Sequence, residues 1–330
     1  MKFASFPFNR PRRLRKTQII RDLVQETHFS VNNLIAPLFI LDGENIKQEI
    51  NSMPGVFRYS LDLLMKEVGE LIKLGVNNFA LFPVINKALK NQTAEEALNP
   101  FGLIPQAIKT IKKSFPQAIL ISDIALDPFT SHGHDGLVNE FHEVVNDKTV
   151  EILCKMAVCH AEAGVDVVAP SDMMDGRISK IRGALDSGGF SDTLIMSYSA
   201  KFASSFYGPF RDALSSNLVF GDKKSYQLNP ANALEAEKEI EIDALEGADM
   251  LMVKPGLSYL DIVYRAKQIT KLPVIAYSVS GEYSMIKAAS QNQWLNEKEV
   301  VFENMIAFRR AGASGVITYH ARQIAEWLSS

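Results

Sequence analysis

Eight short apolar runs recur along this 330-residue chain, each separated from the next by polar-patterned sequence. They are LIAPLFI (34–40), NNFALFP (77–83), AILISDI (118–124), VDVVAP (165–170), TLIMSYS (193–199), DMLMVKP (249–255), PVIAYS (273–278) and GVITYH (315–320). Each is nearly continuous in apolar residues, the pattern of a strand buried on both faces of a parallel sheet. Between them lie amphipathic stretches such as SLDLLMKEVGELIKLG, DKTVEILCKMAVCHAEAG, LSYLDIVYRAKQIT and EKEVVFENMIAFRRAG. Several stop on a glycine just before the next run, at Gly75, Gly164, Gly247 and Gly312, the usual signal past a last helical turn. Eight such alternations predict a closed (β/α)8 barrel. A doubly wound sheet is the alternative, but no Gly-x-Gly-x-x-Gly follows the first run. Residues 1–33 precede the first strand and are expected to form an arm outside a barrel domain spanning 34–330. The connection from Lys201 to about Asn229 is long for a compact domain and reads as a lid over the active site.

Composition narrows the functional classes. The formal charge is −3, from 35 basic and 38 acidic residues, which argues against an electrostatic grip on nucleic acid. No apolar window has transmembrane length, and no long apolar stretch follows the basic start, so neither a membrane partner nor a secretory signal is expected. The two cysteines, Cys154 and Cys159, fall in a helical run and read as reduced core residues of a reducing compartment. On composition alone, Arg10, Arg12, Arg13 and Arg15 read as a solvated arm.

A barrel of this kind carries its chemistry at the C-terminal ends of its strands. The third run ends in Asp123, followed by Asp127, His132, His134 and Asp135. The fourth offers Ser171 and Asp172, with Asp175 and Arg177 close behind. The fifth offers Tyr198, Ser199 and Lys201, and the sixth Lys254. The seventh and eighth offer Ser278, Ser280, Tyr319 and His320. Lys254 ends an otherwise apolar strand, where lost hydration disfavours the ammonium and leaves an amine able to attack a ketone. Lys201, on the adjacent strand, can supply a second cation or a second nucleophile. Either lysine alone could be a rim side chain reaching for water; two on adjacent strands point to chemistry.

Other candidates are weaker. Arg211, Lys223 and Lys224 in the lid could grip an anion or simply be solvated. No glycine-rich turn follows the seventh or eighth strand, so a carboxylate fits better than a phosphate. The loop SDIALDPFTSHGHDG offers hard oxygen and nitrogen donors without a thiolate, and reads as loop structure more readily than as a metal site. In NPANALEAEKEIEIDALEGA, Asn229 reads as a helix N-cap with Pro230 at the first turn. Glu235, Glu239 and Asp243 then share one face, ordinarily a solvated stripe, with a hard-cation site as the alternative.

The stretch GADMLMVKPGLSY (247–259) resembles the active-site signature of the porphobilinogen synthase, or δ-aminolevulinic acid dehydratase, family. RPRRLR (10–15), MPGVFRYS (53–60), SDIALDPFTSHGHDG (122–136), APSDMMDGRI (169–178), MSYSAKFASSFYGPFRDA (196–213), KKSYQLNPAN (223–232) and VSGEY (279–283) resemble family segments in family order. The resemblance implies condensation of two 5-aminolevulinate molecules to porphobilinogen with loss of two waters, a lyase reaction of tetrapyrrole and heme synthesis. It implies Schiff bases at Lys254 for the propionate-side substrate and at Lys201 for the acetate-side one. It assigns Arg211, Lys223 and Gln227 to one substrate carboxylate, and Ser280 and Tyr319 to the other. The family has arginine at the position of Lys223, and often glutamine at that of Ser278.

Zinc-dependent members carry cysteines at the positions of Ala125, Asp127 and Asp135. The chain is therefore similar to the aspartate-rich, zinc-independent branch, where Asp123, Asp127 and Asp135 are active-site acids and no catalytic zinc is expected. The same branch implies allosteric Mg2+ with Glu239 as a ligand, and a homo-octamer in which the arm embraces a neighbour. Only nine residues precede RPRRLR, which is expected to leave no room for a transit peptide, and a cytoplasmic bacterial enzyme follows. Two other readings are a class I aldolase, which needs one lysine and favours phosphorylated substrates, and a silent barrel that senses an amino-keto acid.

Overall fold

The computed structural model describes residues 6–214 and 218–329. The described residues contain ten strands: β1 (Leu34–Leu41), β2 (Lys47–Glu49), β3 (Phe57–Tyr59), β4 (Asn78–Val84), β5 (Ile119–Ile124), β6 (Val167–Pro170), β7 (Leu194–Lys201), β8 (Met250–Lys254), β9 (Val274–Ser278) and β10 (Gly315–Thr318). The helices are α1 (Gln18–Leu23), α2 (Leu61–Lys73), α3 (Leu103–Ser114), α4 (Asn146–Glu162), α5 (Arg177–Ser187), α6 (Gly208–Leu214), α7 (Ala233–Leu245), α8 (Leu260–Ile269), α9 (Ser280–Gln291), α10 (Glu297–Ala311) and α11 (Ala321–Ser329).

All eight apolar runs are strands, paired in parallel in the order β1–β4–β5–β6–β7–β8–β9–β10. The ring closes where Leu34 and Ile35 of β1 pair with Val316 and Ile317 of β10. The predicted (β/α)8 barrel is therefore present. Alternation along the strands sends side chains to two separate cores. Ile35, Phe39, Met196, Tyr198, Met252, Ile275 and Ile317 fill the barrel interior. Ile195, Leu251, Val253, Val274 and Val316 pack outward against the helices. The four stop glycines have left-handed φ values: 88° at Gly75, 97° at Gly164, 101° at Gly247 and 110° at Gly312. A side chain is strained there, which explains why glycine ends those helices.

One local feature lies outside the sequence reading and one expectation is corrected. The hairpin β2–β3 was not anticipated, because three-residue strands are too short to show a period. It pairs antiparallel within itself, and Arg58 and Tyr59 of β3 extend the sheet along Phe39 and Ile40 of β1. Asn229 is not an N-cap: its side chain accepts a hydrogen bond from the Ala231 amide in a turn, and the helix begins at Ala233 after Asn232.

Before β1, Phe6, Phe8, Ile19 and Leu23 are all more than 70% exposed, so these apolar side chains lack cover from the other described residues. Cys159 is buried and Cys154 half-buried, both as free thiols. Among the described residues no helix is long and apolar enough to cross a membrane.

Candidate active site

The centre of the site depends on one irregularity in β7. Met196 and Ser197 pair with Met250 and Leu251 of β8, but Ala200 and Lys201 pair with Val253 and Lys254. β7 therefore carries one extra residue between these pairs, a β-bulge. Because strand side chains alternate, one extra residue moves everything after it to the other face. Met196 and Tyr198 point into the barrel, whereas Ala200 belongs to the outer core. Unbulged alternation would have turned Lys201 outward; the bulge turns it inward, directly across from Lys254.

Lys254 lies in an aromatic chamber. Its Nζ is 4.6 Å from the ring centre of Tyr277, 4.7 Å from Phe210, 5.1 Å from Tyr198 and 5.3 Å from Tyr207. Ring faces favour an ammonium, but burial opposes it more strongly, and the Lys201 charge adds repulsion. Together they bring the Lys254 pKa down to about 7. The backbone carbonyl of Lys254 accepts hydrogen bonds from the Phe202 amide at 2.9 Å and the Tyr207 hydroxyl at 3.0 Å, fixing the strand end. Lys201 donates to the Ser171 carbonyl and lies 3.5 Å from Asp135 Oδ2.

The three aspartates converge on these amines. Burial pushes the Asp123 carboxyl up to about 7, Asp127 adds to this, and both lysines oppose it. Burial also raises Asp127. For Asp135 burial acts in the same direction, but the ammoniums of Lys201 and Lys223 outweigh it and hold that carboxyl well below its usual range. Lys223 reaches from the lid to bridge the pair, 3.3 Å from Asp127 Oδ2 and 2.8 Å from Asp135 Oδ1. Gln227 donates to Asp135 Oδ2 at 3.4 Å. His134 hydrogen-bonds Tyr226 Oη and the Phe220 carbonyl, both at 3.1 Å, so the loop after β5 is fastened to the lid. The histidine pair is thus loop structure. Among the described residues, no group of three or more His, Cys, Asp or Glu side chains is arranged to hold a metal ion.

Arg211 on α6 lines the same chamber and has no hydrogen-bond or ion-pair partner among the described residues. Lys224 does not line this chamber; it is exposed and 3.7 Å from Asp222. Ser280 is buried; its hydroxyl accepts from the Phe210 amide at 3.0 Å and lies 3.3 Å from the Phe206 carbonyl, pinning the lid. Tyr319 hydrogen-bonds the Tyr277 hydroxyl at 3.1 Å. His320 turns away toward Glu297, at 3.4 Å. The cavity bounded by Asp127, Lys201, Arg211, Lys223, Gln227 and Lys254 is only about 30 Å³, room for about two waters.

A family model described as delta-aminolevulinic acid dehydratase matches residues 8–327. The chain belongs to the delta-aminolevulinic acid dehydratase family. It is 54% identical over 319 residues to the delta-aminolevulinic acid dehydratase of Chlamydia pneumoniae, covering 97% of this chain and 96% of that one. It is 52% identical to the chloroplastic protein of Oryza sativa, covering 97% of this chain and 75% of the relative. A crystal structure of the Toxoplasma gondii delta-aminolevulinic acid dehydratase, in complex with the reaction product porphobilinogen, superimposes with a TM-score of 0.95 at 54% identity. That match covers 97% of this chain and 91% of the other.

In this delta-aminolevulinic acid dehydratase family member the acidic face of α7 is not uniformly solvated. Asp243 is buried and lies 3.3 Å from Arg177 Nη2. Glu239, one turn earlier, faces a cavity of about 720 Å³ with Glu235 and Asp175. Burial, then Asp243 and Asp175, raise its carboxyl. The sequence pattern did not single out Tyr207, Phe210 or Tyr277 as walls of the amine chamber, since aromatic residues in strands and lids carry no mark of what they face. Glu282 was also missed: its two oxygens accept the Leu257 and Val279 amides at 2.9 Å each, tying the turn after Lys254 to α9.

Proposed function

We propose that this chain is a porphobilinogen synthase, a lyase that condenses two 5-aminolevulinate molecules to porphobilinogen with loss of two waters. The observation that carries the reading is the pair of inward amines, Lys201 and Lys254, at matching register in a water-poor chamber. Family membership and a relative holding porphobilinogen support the same substrate class.

The neutral Lys254 amine adds to one ketone carbon, and the ketone oxygen leaves as water with the two amine protons. Lys201 does the same with the second substrate after passing its extra proton to a neighbouring carboxylate. Asp123, with a pKa near neutrality, is suited to move protons between amine and oxygen. One carbon–carbon and one carbon–nitrogen bond between the substrates then close the pyrrole and return both lysines as free amines. Arg211, with no carboxylate partner among the described residues, is available for a substrate carboxylate. Lys223 and Gln227 join it once Asp127 and Asp135 share them. Ser280 and Tyr319 serve the other carboxylate once their hydroxyls are released from the Phe206 carbonyl and Tyr277. A cavity of about 30 Å³ cannot admit the substrate, so lid opening precedes binding.

The reading extends to the zinc-independent branch. Positions 125, 127 and 135 hold Ala, Asp and Asp, a donor set without the thiolates that favour zinc. Magnesium, which keeps several waters and needs only one or two carboxylates, fits Glu239 with Asp175 nearby. It would neutralise charge beside α7, away from the amines. The exposed apolar residues of the arm, 1–33, suit burial against a neighbouring copy, in a homo-octamer working in the cytoplasm.

Purified protein incubated with 5-aminolevulinate should yield a pyrrole that colours with an acidic aldehyde dye. No colour with or without magnesium would sink the assignment.

A further inference from the structure

The bulge that turns Lys201 inward is clamped by a buried charge that the reaction itself does not use. Arg177 opens α5 and is 2% exposed. Its Nη2 lies 3.3 Å from the Ser197 hydroxyl, 3.3 Å from the carbonyl of Tyr198 and 3.3 Å from Asp243 Oδ2. Ser197 itself donates to Asp243 Oδ2 at 2.5 Å. Ser197 is the last residue of β7 in register before the bulge, and Tyr198 is the first residue within it.

The other side of the same guanidinium faces the end of β6. Arg177 Nε is 3.6 Å from Asp172 Oδ2, and Nη1 donates to the Met174 carbonyl at 3.2 Å. Asp172 Oδ1 accepts the Met174 amide at 2.7 Å, closing a tight turn in which Met173 has a left-handed φ of 68°. Immediately before Asp172 stands Ser171, whose carbonyl receives the Lys201 amine. One side chain therefore grips both the backbone that presents Lys201 and the strand end that receives it.

Stability is a poor account of this arrangement. A cation at a helix N-terminus opposes the helix dipole. Buried ion pairs of this kind often contribute little net stability, because desolvation offsets attraction. A non-glycine residue at positive φ is likewise a cost that surrounding contacts must hold in place. Positioning gives these costs a purpose, since small displacements of a reacting group slow a reaction strongly.

We propose that Arg177 is a positioning residue for Lys201: with Asp243 and Ser197 it locks the β7 bulge, and with Asp172 it sets the β6 end that docks the amine. The inference rests on Lys201 forming a Schiff base. Its test is borohydride trapping of 5-aminolevulinate on the full-length protein, with labelled lysines located by peptide mapping. The variants are Arg177→Met, Asp243→Asn and Ser197→Ala, the last removing only a hydroxyl should the first fail to fold.

The expected result is loss of Lys201 label relative to Lys254 label, with kcat lowered by up to about 10²-fold in Arg177→Met and less in the milder variants. The pH midpoint for labelling Lys254 should also rise, because a Lys201 turned away no longer repels its proton. A change that merely loosened the fold would lower both labels together and leave that midpoint unmoved. An unchanged ratio of the two labels in Ser197→Ala and Asp243→Asn overturns the inference. Unmodified protein that labels Lys254 but never Lys201 overturns the Schiff-base role of Lys201 itself, and the inference with it.

Discussion

Lys201 and Lys254 are register partners across β7 and β8, and their amines share one desolvated chamber. Neighbouring parallel strands lie about 4.8 Å apart, so neither lysine can hold its proton without opposing the other. This relationship sets the reactivity of the pair.

The first prediction concerns pH. Burial, then Lys201, lower the Lys254 pKa to about 7. A depressed lysine pKa means that the free amine grows as pH rises through that value and then levels off. Borohydride trapping of substrate at Lys254 should follow that curve, with a midpoint near 7. Lys201→Met removes the like charge, so the midpoint should move upward and trapping at neutral pH should fall. An unmoved midpoint would mean that the two amines are not electrostatically coupled.

Lys223 supports a prediction about stability. It is the lid's cation between Asp127 and Asp135. Removing one member of a buried pair leaves uncompensated charge, so Lys223→Met should lose about 3 kcal/mol at neutral pH. Asp135 has a depressed pKa, so its stabilising contribution is present above the unfolded carboxylate range and is lost as pH falls. The deficit of the variant should therefore shrink in acid, where its carboxylates take up protons. Denaturant melts at the two pH values check this. Lys223→Arg, retaining the charge, should recover most of the loss.

Ser280 should control the lid. Its hydroxyl accepts the Phe210 amide in a buried setting. Ser280→Ala leaves that amide without a partner, a cost of about 1–3 kcal/mol to the closed arrangement. Hydrogen exchange of the Phe210 amide should speed up, and KM for 5-aminolevulinate should rise if the same hydroxyl serves a substrate carboxylate. Unchanged exchange would show that the lid is held elsewhere.

How much of this was legible in the sequence depends on range. The eight strands were readable because each is apolar almost throughout, and the stop glycines because their φ values admit little else. Lys254 stood out as a polar residue closing an apolar strand. The bulge did not, because Tyr198 and Ser199 read as an ordinary continuation of β7 and no local pattern marks an extra residue. Asp243 read as part of a solvated stripe because its partners, Arg177 and Ser197, lie 66 and 46 residues away in the chain. Lys223 read as a solvated lid charge, or by resemblance as a ligand of a substrate carboxylate; the two aspartates it bridges lie far away in the chain, in the loop after β5. What the sequence concealed was pairing between distant elements, which only the closed barrel brings together.

Magnesium gives the last prediction. Glu239 is half-buried, with Glu235 and Asp175 on the same cavity, and its carboxyl is raised by burial and by neighbouring acids. A raised carboxyl keeps its proton to higher pH, and a proton there competes with the metal. Magnesium titrated calorimetrically into EDTA-stripped protein should therefore bind more weakly at about pH 5 than at about pH 8. Glu239→Gln, nearly isosteric but uncharged, should abolish the binding heat at both. Glu235→Gln should weaken it less, because that residue sits a turn earlier on α7 and is more exposed. Equal heats in the Glu239→Gln variant and the unmodified protein would place the metal elsewhere. Zinc restoring activity where magnesium does not would return the thiolate-free aspartate pair to consideration as a metal site.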